Sequence, residues 1–198
     1  MTMTRMRSRS NSTAPRFDAD THTYWVDGAS VDFPTRLMQE AGLVGSASFF
    51  TAAARDRGTR VHAATEAADR GDPDGVGLPA AERGYLESYL VWKTMVQPVW
   101  DLIETPRYSA EYRLAGTADR IGRLGGSTGR QVIVDLKTGA PQKFHGLQLA
   151  FYDLVYPPPM TRDRVCLYLR RDGKCAQSVT YRSTDDYDTA RRLLAARD

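Results

Sequence analysis

Asp119, Asp135 and Lys137 have the types and the spacing to do chemistry. Asp119 closes the segment Gly116-Thr117-Ala118-Asp119, and sixteen residues later a second acid and a lysine stand two positions apart in Val132-Ile133-Val134-Asp135-Leu136-Lys137-Thr138-Gly139. Side chains alternate along a strand, so Asp135 and Lys137 share one face while Leu136 turns to the other. Two carboxylates and one ammonium converging on a strand edge suit a hard divalent cation and the water it activates. With Asp119 and Asp135 as ligands, the backbone carbonyl of Leu136 offers a third oxygen. Lys137 then stands where it can orient a water nucleophile and stabilise developing negative charge. Hydrolysis of a phosphodiester needs a neutralised phosphate, an activated water and a stabilised leaving oxygen, and Mg2+ or Mn2+ held by carboxylates serves all three. The expectation is a metal-dependent nuclease.

The composition admits this chemistry. A chain of 198 residues with 41% apolar and 26% charged residues is most simply one globular domain with a real core. The net charge of +3 and a pI near 8.9 permit a polyanionic partner without demanding one. Of the 27 basic residues only Lys93, Lys137, Lys143 and Lys174 are lysines. In a chain that nearly always uses arginine, a lysine in a suspected site is less readily a generic surface cation. The longest uncharged stretch, Ala41 to Ala54, has 14 residues and contains Gly and Ser, too short and mixed to span a bilayer. The Arg- and Ser-rich start lacks an apolar secretory core, so a cytoplasmic protein without membrane partners is expected. Cys166 and Cys175 flank Asp172-Gly173. If that pair is a two-residue turn, Cys166 faces Val179 and Cys175 faces Arg170, so no disulfide is expected. Two cysteines also cannot hold an iron–sulfur cluster or a four-cysteine zinc site unaided.

The elements that must position the three residues follow from hydrophobic period and turn signals. Residues 1–16 read as a disordered basic tail, and 17–198 as a single domain. His22 to Val26 and Ala29 to Phe33 form a hairpin about Asp27-Gly28, and a short helix follows Pro34 as far as Gly42. Ser46 or Ser48 caps a helix from about Phe49 to Arg70, and after a loop at Gly71 to Gly77 a second helix spans about Pro79 to Val96. Its Tyr85, Leu86, Tyr89, Leu90 and Trp92 stripe reads as core. Strands are expected at Leu102 to Tyr108, Tyr112 to Leu124 and Gln131 to Leu136, the last two joined by a turn at Gly125 to Gly129. A helix from Phe144 to Val155 is stopped by Pro157-Pro158-Pro159. A hairpin of Val165 to Arg170 and Cys175 to Tyr181 precedes a final helix capped by Ser183 or Thr184. The fold class is therefore α/β, a mixed central sheet flanked by helices.

Competing motifs fail on context. Gly122 to Arg130 is glycine-rich, but no Gly-Lys-Ser/Thr follows. Gly125-Gly126-Ser127-Thr128-Gly129 fits a nucleophile-elbow pattern, yet a strand rather than a helix comes next. Lys137-Thr138-Gly139 matches one β-lactamase element, but the chain has no Ser-x-x-Lys.

Four segments together resemble the PD-(D/E)XK nuclease superfamily, in particular its RecB-type and phage-encoded exonuclease branch. Asp119 and Asp135-Leu136-Lys137 resemble its acid and acid-x-Lys pair. Gly58-Thr59-Arg60-Val61-His62 is similar to the helix whose histidine is a further metal ligand, which implies that role for His62. Ala115 to Ile121 resembles the "aGTxDri" segment, and Val134 to Gly139 the "DxKTG" strand. Gln148-Leu149-Ala150-Phe151-Tyr152 is similar to the "QxxxY" helix, placing Gln148 and Tyr152 one turn apart. The early His22-Thr23-Tyr24…Asp27-Gly28 segment is similar to phage-encoded exonucleases, and the mitochondrial genome maintenance exonuclease is a more distant likeness. The resemblance implies a restriction-endonuclease-like core and a DNA exonuclease of phage or bacterial recombination, repair or replication, acting on single- or double-stranded ends with Mg2+ or Mn2+. A partner protein from recombination or replication would be in keeping. It implies catalytic roles for Asp119, Asp135, Lys137, Gln148 and Tyr152, and metal binding by His62, Asp119, Asp135 and Leu136. Two departures stand out. Asp32-Phe33-Pro34-Thr35 replaces the usual Pro-Ser-Val-Thr, and the iron–sulfur cysteines of the CRISPR-adaptation branch are absent.

Glu66, one turn beyond His62, and Glu104, on the strand before Asp119, are candidates to support the metal ligands from behind. His145, Arg55, Arg57 and Lys143 are expected to be solvated. The alternatives are a non-catalytic nucleic-acid-binding or assembly module on the same fold and a sequence-specific endonuclease.

Overall fold

The computed structural model describes residues 14–19, 21–44, 51–72 and 74–197. The expected tail over 1–13 and the expected caps Ser46 and Ser48 lie outside the described residues. The central element is a five-stranded sheet in the order β4-β5-β6-β7-β8, formed by β4 (Val99–Ser109), β5 (Leu114–Leu124), β6 (Arg130–Lys137), β7 (Asp163–Tyr168) and β8 (Gln177–Tyr181). β6 and β7 run parallel, and the other pairs are antiparallel. A parallel pair needs a long crossover, supplied here by α4 (His145–Val155). Ahead of this sheet lie β1 (Arg16–Asp18), β2 (Thr23–Val26) and β3 (Ala29–Val31), a small antiparallel sheet, then α1 (Pro34–Glu40), α2 (Ala52–Asp69) and α3 (Arg83–Val96). α5 (Asp185–Ala195) closes the chain. This is the mixed α/β architecture that the hydrophobic pattern implies.

The sheet is covered on both faces, which explains the unbroken apolar run Val132-Ile133-Val134 in the middle of β6. Val132, Val134 and Leu136 pack with Val61 of α2 and Tyr85, Tyr89 and Trp92 of α3. Ile133 turns the other way, into a core with Leu37, Met38, Phe151, Leu154 and Tyr187 from α1, α4 and α5. Every residue of α4 except Tyr152 is buried, so this helix is held from all sides.

Several boundaries differ from the expectation, each for a tertiary reason. β1 begins at Arg16, within the stretch read as tail, because it pairs with β2. α2 takes its cap from Thr51, whose hydroxyl accepts the Ala54 N–H. α3 starts at Arg83 rather than Pro79, because Pro79 to Glu82 form a turn closed by Glu82 N–H on Pro79 O. The β7–β8 hairpin keeps the anticipated register, Cys166 opposite Val179, but its strands stop short at Tyr168 and Gln177. Ser88 of α3 captures both flanks, accepting Arg170 N–H on its hydroxyl and Ala176 N–H on its carbonyl. Cys166 and Cys175 are free thiols.

Candidate active site

β5 and β6 build the site by parting. Their antiparallel register runs from Leu124 opposite Arg130 to Arg120 opposite Val134, and its next step would set Asp119 against Asp135. Pairing ends there. On the other side of β5, Ile103 pairs with Arg120 and Thr105 with Ala118, so Glu104 stands opposite Asp119. Glu104, Asp119 and Asp135 thus occupy one row across three neighbouring strands, where cross-strand side chains share a face. In place of the missing ladder bond, the Leu136 N–H donates to Asp119 Oδ2 at 2.5 Å. Glu104 itself has φ 44°, a left-handed conformation that an ordinary residue adopts at a cost of about 1–3 kcal/mol.

His62 reaches this row from α2, one residue beyond the fully buried anchor Val61. Its Nε2 donates to the carbonyl of Leu136 at 3.1 Å, and its Nδ1 lies 3.5 Å from both Glu104 Oε1 and Asp119 Oδ1. With Nε2 committed to a carbonyl, the lone pair of the neutral ring is aimed between two carboxylates, an orientation suited to metal ligation. Among the described residues His62, Glu104 and Asp119 bring ligand atoms within 4.8 Å of one another. One imidazole nitrogen and two carboxylate oxygens fit a divalent cation. Burial would lower the His62 pKa, but Asp119 and Glu104 outweigh it and hold it well above the usual range. Burial likewise pushes the Glu104 carboxyl up, reinforced by Asp119. Asp119 stays below the usual carboxylate range because His62, Lys137 and the Leu136 N–H outweigh its burial. A cation would relieve the same accumulation of negative charge that now favours an imidazolium.

This geometry assigns the predicted residues unequally. Asp135 lies beside the donor set rather than in it: its Oδ2 is 2.5 Å from Lys137 Nζ. Burial, with Asp119 adding, raises its pKa to about 6 despite the lysine. Lys137 also donates to Gln148 Oε1 at 3.0 Å, and Gln148 Nε2 donates to the Tyr152 hydroxyl at 3.3 Å. Gln148 and Tyr152, on one side of α4, thereby extend the lysine's support. The Leu136 carbonyl, expected as a metal ligand, accepts the His62 Nε2–H and so also orients that ring. Glu66 is not part of the site, since its carboxylate pairs with Arg70 one turn on. Glu104 is more central than expected, a member of the donor set itself.

His62, Leu136, Lys137 and Gln148 line a cleft of about 310 Å3, together with Arg55 and Arg57 from the first turns of α2. The two arginines are therefore at the cleft wall rather than on a remote surface, while Lys143 is exposed as expected. His145, expected in solvent, is buried. Its ring lies against Phe144 and Tyr168, and its Nδ1 contacts the Tyr168 hydroxyl at 2.7 Å and accepts the Gln142 N–H. The partners that sequence reading missed are Arg120 and Asp69. Arg120 alternates away from Asp119 into the core, and a buried arginine requires an acid. Asp69, two turns from His62 on the same helix, supplies it at 2.6 Å.

A family model of the PD-(D/E)XK nuclease superfamily matches residues 77–196. This chain belongs to that superfamily. No curated protein matches its sequence. The matched range holds Glu104, Asp119, Asp135-Leu136-Lys137, Gln148 and Tyr152, whereas His62 lies ahead of it and owes its place to α2. PD-(D/E)XK nucleases use divalent metals and act on nucleic acid, in keeping with the donor set at the parted strands. No described helix is long and apolar enough to cross a membrane.

Proposed function

We propose that the protein is a Mg2+- or Mn2+-dependent deoxyribonuclease, and specifically an exonuclease acting on DNA ends in the cytoplasm of a bacterial or phage-infected cell. The observation that carries this reading is Lys137, held between Asp135 and Gln148 at the wall of the cleft that His62 also lines. His62, Glu104 and Asp119 would hold the metal, with Asp135 as a further carboxylate alongside. When bound, the cation supplies charge neutralisation at the phosphate and acidifies its water. Lys137 orients the attacking water and faces the developing negative charge. Gln148 fixes the ammonium, and Tyr152 supports Gln148 from the next turn. Arg55 and Arg57 offer positive charge along the path of the strand. The preference for ends rests on the likeness of the His62, Asp119, Asp135–Lys137 and Gln148–Tyr152 segments to RecB-type and phage-encoded exonucleases. A role in recombination, repair or replication belongs to the same likeness.

The test is cleavage of labelled linear and closed circular DNA, single- and double-stranded, with Mg2+ or Mn2+. Degradation of linear DNA with the circle left intact is expected, abolished in Asp119→Ala and Lys137→Ala. Cleavage of the circle would make the protein an endonuclease. Robust cleavage surviving both substitutions would refute the assigned site, and DNA binding without cleavage under either metal would refute catalysis.

A further inference from the structure

Arg120 is the largest fully buried side chain among the described residues, and it sits next to Asp119 without lining the cleft. Four of its five N–H donors are taken by groups from three elements. Nε donates to Asp69 Oδ2 at 2.6 Å and Nη2 to Thr65 Oγ1 at 3.2 Å, both on α2. Nη1 donates to Glu104 Oε1 on β4 at 3.1 Å and to the carbonyl of Asp119 on β5 at 2.7 Å. Asp69 is in turn clamped by Lys93 Nζ at 2.8 Å and by the Tyr89 hydroxyl at 2.6 Å, itself held by Trp100 Nε1. A buried ion network of this kind gives little net stability over well-packed apolar residues, because desolvating the charges offsets their attraction. Its position explains it better. The chain Lys93–Asp69–Arg120 ends on the Glu104 oxygen that also faces His62, and Glu104 itself has left-handed backbone.

We propose that Arg120 is the positioning residue of the metal site. It holds Glu104 in its strained place opposite Asp119, and through Asp119's own carbonyl it fixes the β5 residue that carries the second carboxylate. It binds no cation itself. The role demands arginine: only a planar fork reaches Asp69, Thr65, Glu104 and the Asp119 carbonyl at once, and a lysine ammonium would have to choose among them. The inference rests on the metal-site reading, so its test must separate the two.

Calorimetric titration of Mn2+ into the full-length protein does so without recourse to cleavage. Arg120→Lys is expected to weaken Mn2+ binding by about tenfold to a hundredfold, the scale on which supports behind metal ligands act. Glu104→Gln is expected to weaken it comparably. The double variant should then lose clearly less than the sum of the two single losses, because part of Arg120's effect passes through Glu104 and only the part through the Asp119 carbonyl is left to add. A merely structural arginine would add its loss independently. Circular dichroism and thermal unfolding without metal establish folding. Should Arg120→Lys not fold, Thr65→Val removes one acceptor of the fork at constant volume and is expected to weaken Mn2+ binding several-fold. Unchanged affinity in the folded variant, or fully additive losses, would overturn the proposal while leaving the metal site intact. Wild-type protein that binds no Mn2+ would overturn the metal-site reading beneath it.

Discussion

Asp119 Oδ2 accepts the Leu136 N–H at 2.5 Å across the point where β5 and β6 part, so one carboxylate both closes the fold and faces the chemistry. Its other oxygen, Oδ1, is the one directed at His62. The two duties separate by substitution. Asp119→Ala leaves a buried N–H without an acceptor and is expected to lose about 1–3 kcal/mol of stability. Asp119→Asn keeps an oxygen for Leu136 and is expected to lose less than about 1 kcal/mol. Both should lower cleavage by roughly a hundredfold or more, the scale of a single electrostatic group in a hydrolytic site. Urea denaturation beside a cleavage assay decides. Asn retaining activity in proportion to its stability would show that Asp119 is structural only.

Lys137 is gripped twice, and the two grips are unequal. The Asp135 contact at 2.5 Å is a buried charge pair, whereas Gln148 contributes a neutral acceptor at 3.0 Å. Gln148→Ala is therefore expected to lower turnover only about tenfold, since the ammonium keeps its ion pair with Asp135 and loses only a bond to an uncharged acceptor. Lys137→Met should cost at least a further tenfold while leaving Mn2+ affinity within a few-fold of wild type. Rate measurements at saturating metal test the split. A collapse of metal binding in Lys137→Met would place the lysine's importance in holding the carboxylates instead.

Metal should register in stability as well as in activity. Mn2+ at about a hundred times its Kd stabilises a protein that binds it only when folded by about 2.7 kcal/mol. For a domain of this size that is a rise in Tm of roughly 5–10 °C. His62→Ala removes one of three donors and should reduce the rise sharply, as should Glu104→Gln. Differential scanning calorimetry with and without Mn2+ gives the answer. An undiminished shift in both variants would put the cation elsewhere.

How much of this was legible in the residues depends on what each residue answers to. Asp135 and Lys137 sharing a face, and Leu136 turning away, follow from strand alternation, which the packing of Leu136 with Val61 and Tyr89 reproduces. The α/β order and the Cys166–Val179 register rest on equally local signals. Glu104's part in the donor set is different. It depends on a register, Ile103 opposite Arg120, that no neighbouring residue announces, and on a backbone conformation that tertiary contacts impose. His145 misled for a related reason. A lone polar side chain at a helix start reads as solvated, but α4 is buried from its first turn, and Tyr168 and the Gln142 N–H satisfy the ring inside. Arg120 carried a usable signal: β5 alternation directs it into the core, so an acidic partner was required.

His145 makes the native state sensitive to moderate acid. Burial, helped by the nearby positive charge of Lys137, lowers its pKa from 6.5 to about 4. Between those values the unfolded chain binds a proton that the native protein refuses. Stability from this group is therefore complete above about pH 6.5 and is lost as the pH falls towards 4, by at most about 1.4 kcal/mol per unit. His145→Gln removes the titration. The variant's urea midpoint should change less between pH 7 and pH 4.5 than that of wild type. Equal slopes would mean that the imidazole gains its proton in the folded state as readily as in the unfolded one.

Gly116 of β5 lies directly under the Tyr152 ring of α4. A Cβ at this position would meet Tyr152 Cδ1 at 3.1 Å and Cε1 at 3.3 Å, with Pro34 Cδ at 3.6 Å. These are ring and proline atoms, and Tyr152 is also tied through its hydroxyl to Gln148, so the ring cannot simply swing aside. Gly116→Ala is expected to cost about 1–2 kcal/mol by overpacking, despite the entropy that alanine would otherwise save in the unfolded chain. The strain also has a route to the site. A shift of Tyr152 displaces Gln148, and with it the Lys137 ammonium. The variant should therefore lose cleavage activity by a few-fold at temperatures well below its own Tm, with Mn2+ affinity unchanged. Gly116→Ala in a Tyr152→Leu background should recover part of the stability loss, since the shorter side chain lacks the ring carbons that clash. If Gly116→Ala is neutral in both backgrounds, the glycine serves neither packing nor the lysine, and the contact with α4 has slack that this geometry does not contain.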